Sequence, residues 1–196
     1  MDLLRNLVVA GVLLGQLGLG AARGEEPESS PDGPEAVRVY ATEAEALAKA
    51  FAGADSTWSE PWSPDPQQRA LVESALGWEL VESEFVFHRA AGRRGDLGWA
   101  LILEEKGRFK PITFLVHTGP DRRVQLVLVM VYRESRGDGV RRQRFLKQFQ
   151  GRDAEDPLRL NRDVVGVTGA TLSSRALAAG VRKALALIEV RYPEQP

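Results

Sequence analysis

Hydroxyl side chains flank a glycine–alanine pair near the C-terminal end of the chain. The sequence reads Val167-Thr168-Gly169-Ala170-Thr171-Leu172-Ser173-Ser174, and a long amphipathic pattern follows directly. The first turn of a helix exposes unsatisfied backbone N–H groups and the positive end of the helix dipole, which together favour a phosphate. Gly169 and Ala170 leave room for a bulky ligand, and Thr171 offers an alcohol at the same place. The segment therefore predicts a helix start where a phosphoester on Thr171 would be stabilised.

The same residues also have a purely structural explanation. Thr168, Thr171 or Ser173 would cap the helix with its hydroxyl, and Gly169 would make the turn before it, as in many helices that bind no ligand. Residue types and spacing alone do not separate a cap from a phosphate site.

Two helices are expected to position this segment. The last helix is predicted from about Leu172 to Tyr192, with a buried stripe formed by Leu177, Val181, Ala184, Leu185 and Ile188. A shorter basic helix is predicted over residues 141–149, with one side formed by Phe145, Leu146 and Phe149. Gly151 is expected to end it.

Four short runs rich in Val, Ile, Leu and Phe predict strands. They are EFVFHR near Phe85, GWALILEE near Ala100, PITFLVHT near Phe114 and RVQLVLVMVY near Leu128. The segments between them are too short for crossover helices, so an antiparallel meander is expected. The predicted fold class is α+β: a small antiparallel sheet of about four strands flanked by helices, with a long C-terminal helix.

Two helix start signals come before the first of these strands. Thr42 and Glu45 form the pattern of a capping box, and the helix they begin is expected to break at Gly53. Asp65 and Pro66 begin a second helix that stops at Gly77. Residues 36–94 are assigned only a packing role.

Composition excludes several classes of function. The chain has no cysteine, which removes disulfides, thiolate zinc sites and cysteine-ligated clusters. His88 and His117 are its two histidines, and neither has a partner at metal-ligand spacing, so neither a metal site nor a catalytic residue is predicted. The 26 basic and 27 acidic residues nearly cancel, so nucleic acid is not an expected partner.

A basic cluster is the exception to this balance. It consists of Arg141, Arg142, Arg144, Lys147 and Arg152. Such a cluster would dock an acidic electron-transfer partner or a membrane surface, or it would simply be a solvated helix face.

The N-terminus has the features of a secretory signal peptide. Arg5 precedes an apolar run that ends in the small residues Gly20, Ala21 and Ala22, where a peptidase would cut. The run is short for a membrane anchor, which is the alternative. We therefore expect a signal peptide over 1–23, a disordered linker over 24–35, a single domain over 36–196 and export to the periplasm.

The motif TGATLSS, with the long helix behind it, resembles the flavin-attachment motif of the FMN-binding domain family. This family includes the covalently flavinylated subunits of the sodium-pumping NADH:quinone reductase and the Rnf complex. The order of the strands, a glycine loop over residues 134–139 and the helix FLKQFQGR is also similar to the family's. The resemblance therefore extends over about residues 97–190. In that family a flavin transferase moves FMN from FAD onto the last threonine of the motif, here Thr171. The resemblance implies FMN as cofactor and adds as contact candidates Thr168, Gly169, Ala170, Leu172, Ser173 and Ser174.

The resemblance also implies a second group of site residues in the glycine loop. This loop lies near the flavin ring in the larger subunits, which makes candidates of Glu134, Ser135 and Gly137. One position departs from the family pattern: Val165 stands where an acid is usual, and Asp163 lies two residues earlier. If the transferase reads that acid, attachment to Thr171 is expected to be inefficient or absent.

Taken with the resemblance, the sequence predicts an exported flavoprotein that carries FMN covalently on Thr171 and transfers electrons. It would act as a carrier or a redox subunit rather than as a stand-alone enzyme. The expected partners are a flavin transferase and membrane or periplasmic redox proteins. Two alternatives stay open: a module that binds FMN or another phosphorylated ligand reversibly, and an accessory subunit without a cofactor.

Overall fold

A computed structural model describes residues 37–93 and 95–193, which form an antiparallel sheet with helices on both faces. The predicted signal peptide (1–23) and linker (24–35) lie outside the described residues. No helix in the described part of the chain is long and apolar enough to cross a membrane.

The sheet has six strands in the order β1-β6-β5-β4-β3-β2, each antiparallel to its neighbours. The strands are β1 (Arg38–Val39), β2 (Ala54–Trp62), β3 (Phe85–Gly92), β4 (Gly95–Lys106), β5 (Pro111–Thr118) and β6 (Val124–Tyr132). The predicted meander is confirmed as β3 to β6. The expected number of about four strands is wrong, because β1 and β2 add an edge on each side.

Both additional strands lack the pattern that reveals a strand in sequence. β1 has two residues, paired as Arg38 with Tyr132 and Val39 with Val131. β2 is an edge strand that pairs only with β3, and Trp62 is its single buried residue. A solvated edge has no apolar face to bury and tolerates a proline, here Pro61, so neither alternation nor composition indicates it.

The helices follow the predicted signals closely. They are α1 (Glu43–Ala50), α2 (Pro66–Leu76), α3 (Gln143–Leu146) and α4 (Thr171–Arg191), with 3-10 turns over Asp138–Arg141 and Lys147–Phe149. Thr42 and Asp65 cap α1 and α2 through complete capping boxes, and Gly77 ends α2 in the left-handed conformation. The predicted basic helix over 141–149 is therefore α3 between two 3-10 turns.

The main core lies between the sheet and α4. The five predicted stripe residues of α4 are all buried there, together with Val72 and Leu76 of α2 and the inner residues Phe145, Leu146 and Phe149. The opposite face of the sheet is covered by α1, whose Ala46 packs with Leu115 and Met130 in a separate cluster. α4 is thus buried along most of its length, and this burial fixes the position of its first residues.

Lys183 in the C-terminal half of α4 and Tyr192 directly after it both have raised pKa values. Burial lowers the pKa of Lys183, but its ion pairs with Glu105 (2.5 Å) and Glu82 (2.6 Å) outweigh this and leave it above its ordinary value. Burial, together with the hydrogen bond that the phenol donates to Glu60 (2.5 Å), raises the pKa of Tyr192 to about 12.

Alkaline pH should therefore destabilise the fold. A group whose pKa is raised by folding contributes its full stability below its unfolded pKa, about 10 for both types, and loses it as pH rises through the folded value. Tyr192→Phe removes one such group. Urea unfolding at about pH 9 and about pH 11 should show a larger loss of stability in the wild type than in this variant. An equal loss would show that the Tyr192 phenol does not contribute.

Candidate functional site

Thr171 is the first residue of α4, and its side chain is exposed. The N-cap residue is Ala170, with φ −133° and ψ 33°, and no side chain makes a capping hydrogen bond. The capping part of the structural explanation is therefore wrong, since neither Thr168, Thr171 nor Ser173 caps the helix. Its other part is confirmed, because Gly169 makes the turn with φ +76°. The Thr171 hydroxyl stands at the helix start without a capping task.

The backbone donors of the first turn of α4 are also free. Among the described residues, the N–H groups of Thr171, Leu172 and Ser173 have no hydrogen-bond acceptor, and the first helical bond runs from Ser174 N to Ala170 O (2.8 Å). The helix behind them has 21 residues, so its dipole is well developed. These features favour an anion at the start of α4.

The turn before α4 leaves space on the outside. Ala170 N donates to Val167 O (2.9 Å), which closes the turn, and Thr168 and Gly169 are exposed. A side chain on Gly169 would meet no atom within 4 Å. A ligand on Thr171 would therefore approach across open surface rather than through the core.

The side chains of Ser173 and Ser174 point into the protein rather than toward solvent. Both are buried: the Ser173 hydroxyl shares a hydrogen bond with the Tyr132 phenol (2.8 Å), and the Ser174 hydroxyl accepts from Val167 N (3.1 Å). Burial raises the pKa of Tyr132, so its phenol stays protonated and also donates to Arg136 O (2.6 Å). The two serines thus fix the turn and the helix start from the inside.

The glycine loop packs directly against this helix start. Gly137 has φ +92°, and a Cβ on it would lie 2.7 Å from the Tyr132 phenol oxygen, 3.1 Å from Ser173 Oγ and 3.3 Å from Ala170 Cβ. Only a glycine fits a left-handed position at that distance. The resemblance to the family placed the loop and the motif at one site, and the structure brings them into contact.

Glu134 has a structural task in the same loop. Its carboxylate is buried and accepts hydrogen bonds from the backbone N–H groups of Phe109 (2.6 Å) and Lys110 (3.1 Å) in the β4–β5 turn. Ser135, the next residue, is exposed. The two neighbours therefore differ: Glu134 joins the loop to an adjacent turn, and Ser135 is accessible from solvent.

Arg38 is the site residue that the sequence did not reveal. Its guanidinium donates to the backbone oxygens of Glu134 (2.7 Å) and Ser135 (3.1 Å) and pairs with the Asp138 carboxylate (2.8 Å). The loop is thus tied to β1 at the other end of the described chain. Only the position of Arg38 in β1 could have indicated this role, and β1 is too short to recognise.

A cleft of about 590 Å³ opens next to the turn over residues 167–170. One side of the cleft is formed by residues 139–148, which begin at the end of the glycine loop. The other side is formed by residues 165–168. Thr168, Gly139 and Phe145 are among its walls. This volume lies in the range of small-molecule sites, so the cleft, which reaches Thr168 of the motif, could hold a planar ring system.

Val165 is held at the edge of this cleft by one side chain. The Gln148 amide donates to Val165 O (3.1 Å) and accepts from Val165 N (2.8 Å), while the Val165 side chain is 73% exposed. Asp163, two residues earlier, is bonded within its own turn. Hydrogen bonds from the Arg159 backbone N–H and side chain hold its carboxylate and lower its pKa.

Removing the Gln148 amide should loosen the segment before the motif. Each backbone hydrogen bond is worth about 1 kcal/mol, so Gln148→Ala should lower the free energy of unfolding by about 2 kcal/mol and speed exchange of the Val165 amide proton. Gln150→Ala is the control, because Gln150 makes a single exposed bond to Gln125 O (3.2 Å). Unchanged Val165 exchange in the Gln148 variant would contradict this role.

The two histidines lie away from the motif, within the sheet. His88 shares a hydrogen bond with Ser59 (2.9 Å) and His117 bonds to Leu97 O (2.9 Å), and burial lowers the pKa of both. The described residues contain no group of three or more His, Cys, Asp or Glu placed to hold a metal ion.

Comparison with known proteins identifies this region. Residues 107–186 match the family model described as the FMN-binding domain, and the match runs from the β4–β5 turn through the glycine loop and the cleft into α4. It lies within the stretch of about 97–190 over which the resemblance was recognised. No curated protein matches the chain. Residues 107–186 therefore belong to the FMN-binding domain family, and FMN is the cofactor of this domain.

Proposed function

We propose that the protein is an exported electron carrier with FMN esterified through its phosphate to the Thr171 hydroxyl. The observation that carries this is the position of Thr171: an exposed alcohol at the start of α4, with no capping task, inside the region that matches the FMN-binding domain family. The free N–H groups of the first turn supply donors for the phosphate oxygens.

The surroundings fit an FMN phosphate at this position. The space outside Gly169 is open, Thr168 is exposed beside it, and the cleft begins at the same turn. Ala170 adds only a buried methyl group.

The remaining site residues determine the shape of the site around Thr171. Gly137 and Tyr132 pack against the helix start. The buried hydroxyls of Ser173 and Ser174 hold it by hydrogen bonds from the core side. Arg38 holds the glycine loop. FMN supplies one- and two-electron chemistry when bound, so the chain needs no acid, base or nucleophile of its own for electron transfer. Its part is to hold the cofactor in place and accessible to partners.

Attachment requires a transferase that uses FAD. The Thr171 oxygen would attack the phosphorus on the flavin side of the pyrophosphate, forming the new P–O bond while the bond to the AMP phosphate breaks. AMP leaves, and the hydroxyl proton passes to a base of the transferase. A covalent bond makes sense for an exported protein, because a reversibly bound cofactor stays on only while its free concentration exceeds Kd.

A second candidate is reversible binding of FMN in the same place. The specific observation behind it is Val165, an exposed apolar side chain where related proteins usually carry an acid. Denaturing-gel fluorescence of protein produced with and without a flavin transferase separates the two. A fluorescent band that requires the transferase supports the covalent carrier, whereas colour lost on denaturation supports reversible binding.

Restoring the acid should speed attachment. Val165 is exposed, so Val165→Asp should leave the fold intact while giving the transferase the group that related proteins offer. We expect the initial rate of FMN incorporation to rise about tenfold, equivalent to about 1.4 kcal/mol of added recognition. Val165→Asn is the control of nearly the same size without charge. Equal rates for all three proteins would show that this position is not read.

A further inference from the structure

Exposed basic side chains lie on the segments next to the turn over residues 167–170, which we call the attachment turn. Five of them form what we call the cationic rim: Arg136, Arg142, Arg144, Lys147 and Arg175. This set differs from the basic cluster seen in the sequence, because Arg136 comes from the glycine loop and Arg175 from α4.

Two rim residues line the cleft, and the other three lie on the segments beside it. Arg142 and Arg144 line it directly, and Lys147 lies one turn after Arg144. Arg175 is four residues after Thr171 on α4, which places the two on the same side of the helix. Arg136 precedes Gly137, which packs on the helix start.

These cations are not neutralised by the protein itself. Within the part of the chain that the structure describes, none of the five has a carboxylate within 4.0 Å. The other two members of the sequence cluster do: Arg152 pairs with Asp156 (2.7 Å), and Arg141 lies 3.9 Å from Asp138. Because the whole chain has a net charge of −1, the rim is a local concentration of positive charge.

Apolar side chains are also exposed on the segments that carry the rim. Val165 is 73% exposed in the cleft wall, and Leu172 is 43% exposed next to Thr171. Apolar and charged groups occur together in transient protein interfaces. The charged groups border a cleft rather than a convex surface, which favours the protruding surface of a protein over a flat bilayer.

We propose that the cationic rim docks an acidic electron-transfer protein over Thr171. This rests on the proposed carrier function, because electrons pass only where the partner comes close to the cofactor. Unpaired cations of this kind raise the association rate with an acidic partner and make it depend on salt. The partner would be recognised by its negative surface charge.

An acidic plant-type [2Fe–2S] ferredoxin is a suitable probe. Its binding is measured by calorimetry on the full chain, both without FMN and after loading. The test variant is Arg142→Glu with Arg144→Glu. The matched control is Lys49→Glu with Arg93→Glu: it gives the same change in net charge at exposed positions on α1 and in the β3–β4 turn, away from the rim.

We expect the rim variant to weaken binding about tenfold or more at low salt and the control to change it by less than about twofold. The difference should vanish as salt is raised. Equal weakening by both variants would overturn the proposal, as would rim-dependent binding to phosphatidylglycerol vesicles without binding to ferredoxin. Because binding is also measured without FMN, a protein that never acquires flavin but still docks through the rim would refute the carrier function and not the docking surface.

Discussion

Thr171→Val should abolish covalent flavin attachment. Valine keeps the β-branched shape and removes only the hydroxyl, and Thr171 is exposed at the start of α4 without a capping bond. The free energy of unfolding should therefore change by less than about 0.5 kcal/mol. The flavin fluorescence of the denatured protein band, from cells that also produce the transferase, should fall to background.

Thr171→Ser is the matched control for this variant. Serine retains the alcohol at the same position, so its band should stay fluorescent. A fluorescent Thr171→Val band would place the ester elsewhere, and the exposed Thr168 would be the next hydroxyl to examine. Thermal unfolding of both variants separates a lost ester from a lost fold.

Gly180→Ala should destabilise the protein by about 2 kcal/mol, although alanine is normally the better helix residue by about 1 kcal/mol. Gly180 lies in the middle of α4, where a Cβ would overlap Cζ of Phe114 and lie 2.9 Å from Cγ of Glu105. The helix rests so closely on β4 and β5 that no side chain fits. Urea unfolding measures the loss.

The double variant Gly180→Ala with Phe114→Leu tests the cause. Leucine at 114 removes the ring atom that the new methyl group would overlap, so the double variant should be more stable than the sum of the two single losses requires. If Gly180→Ala alone is as stable as the wild type, α4 does not lie that close to the sheet.

Much of the fold could be predicted because its signals are local. The α4 stripe is buried as its 3.6-residue period indicates, and Thr42 and Asp65 cap helices as their spacing requires. The two unpredicted strands have no such signal. β2 is a polar edge, and β1 exists only because β6 offers it a partner, with Arg38 paired to Tyr132, 94 residues later.

In the candidate site too, the features with local sequence signals could be predicted, and those that depend on tertiary contacts could not. The exposed Thr171 at a helix start follows from the pattern of its neighbours, but the inward direction of Ser173 and Ser174 depends on where Tyr132 lies. Arg38 is tied to the glycine loop by contacts that span 96 and 97 positions of the sequence. Such long-range pairings are set by tertiary packing, which residue spacing does not encode.

The most direct test is the mass of the intact protein after production with a flavin transferase. The proposed function predicts the mass of the mature chain, without its signal peptide, plus one FMN less one water, with the added mass on the peptide that contains Thr171. An unmodified Thr171 peptide under these conditions, or a flavin attached at any other residue, would contradict it.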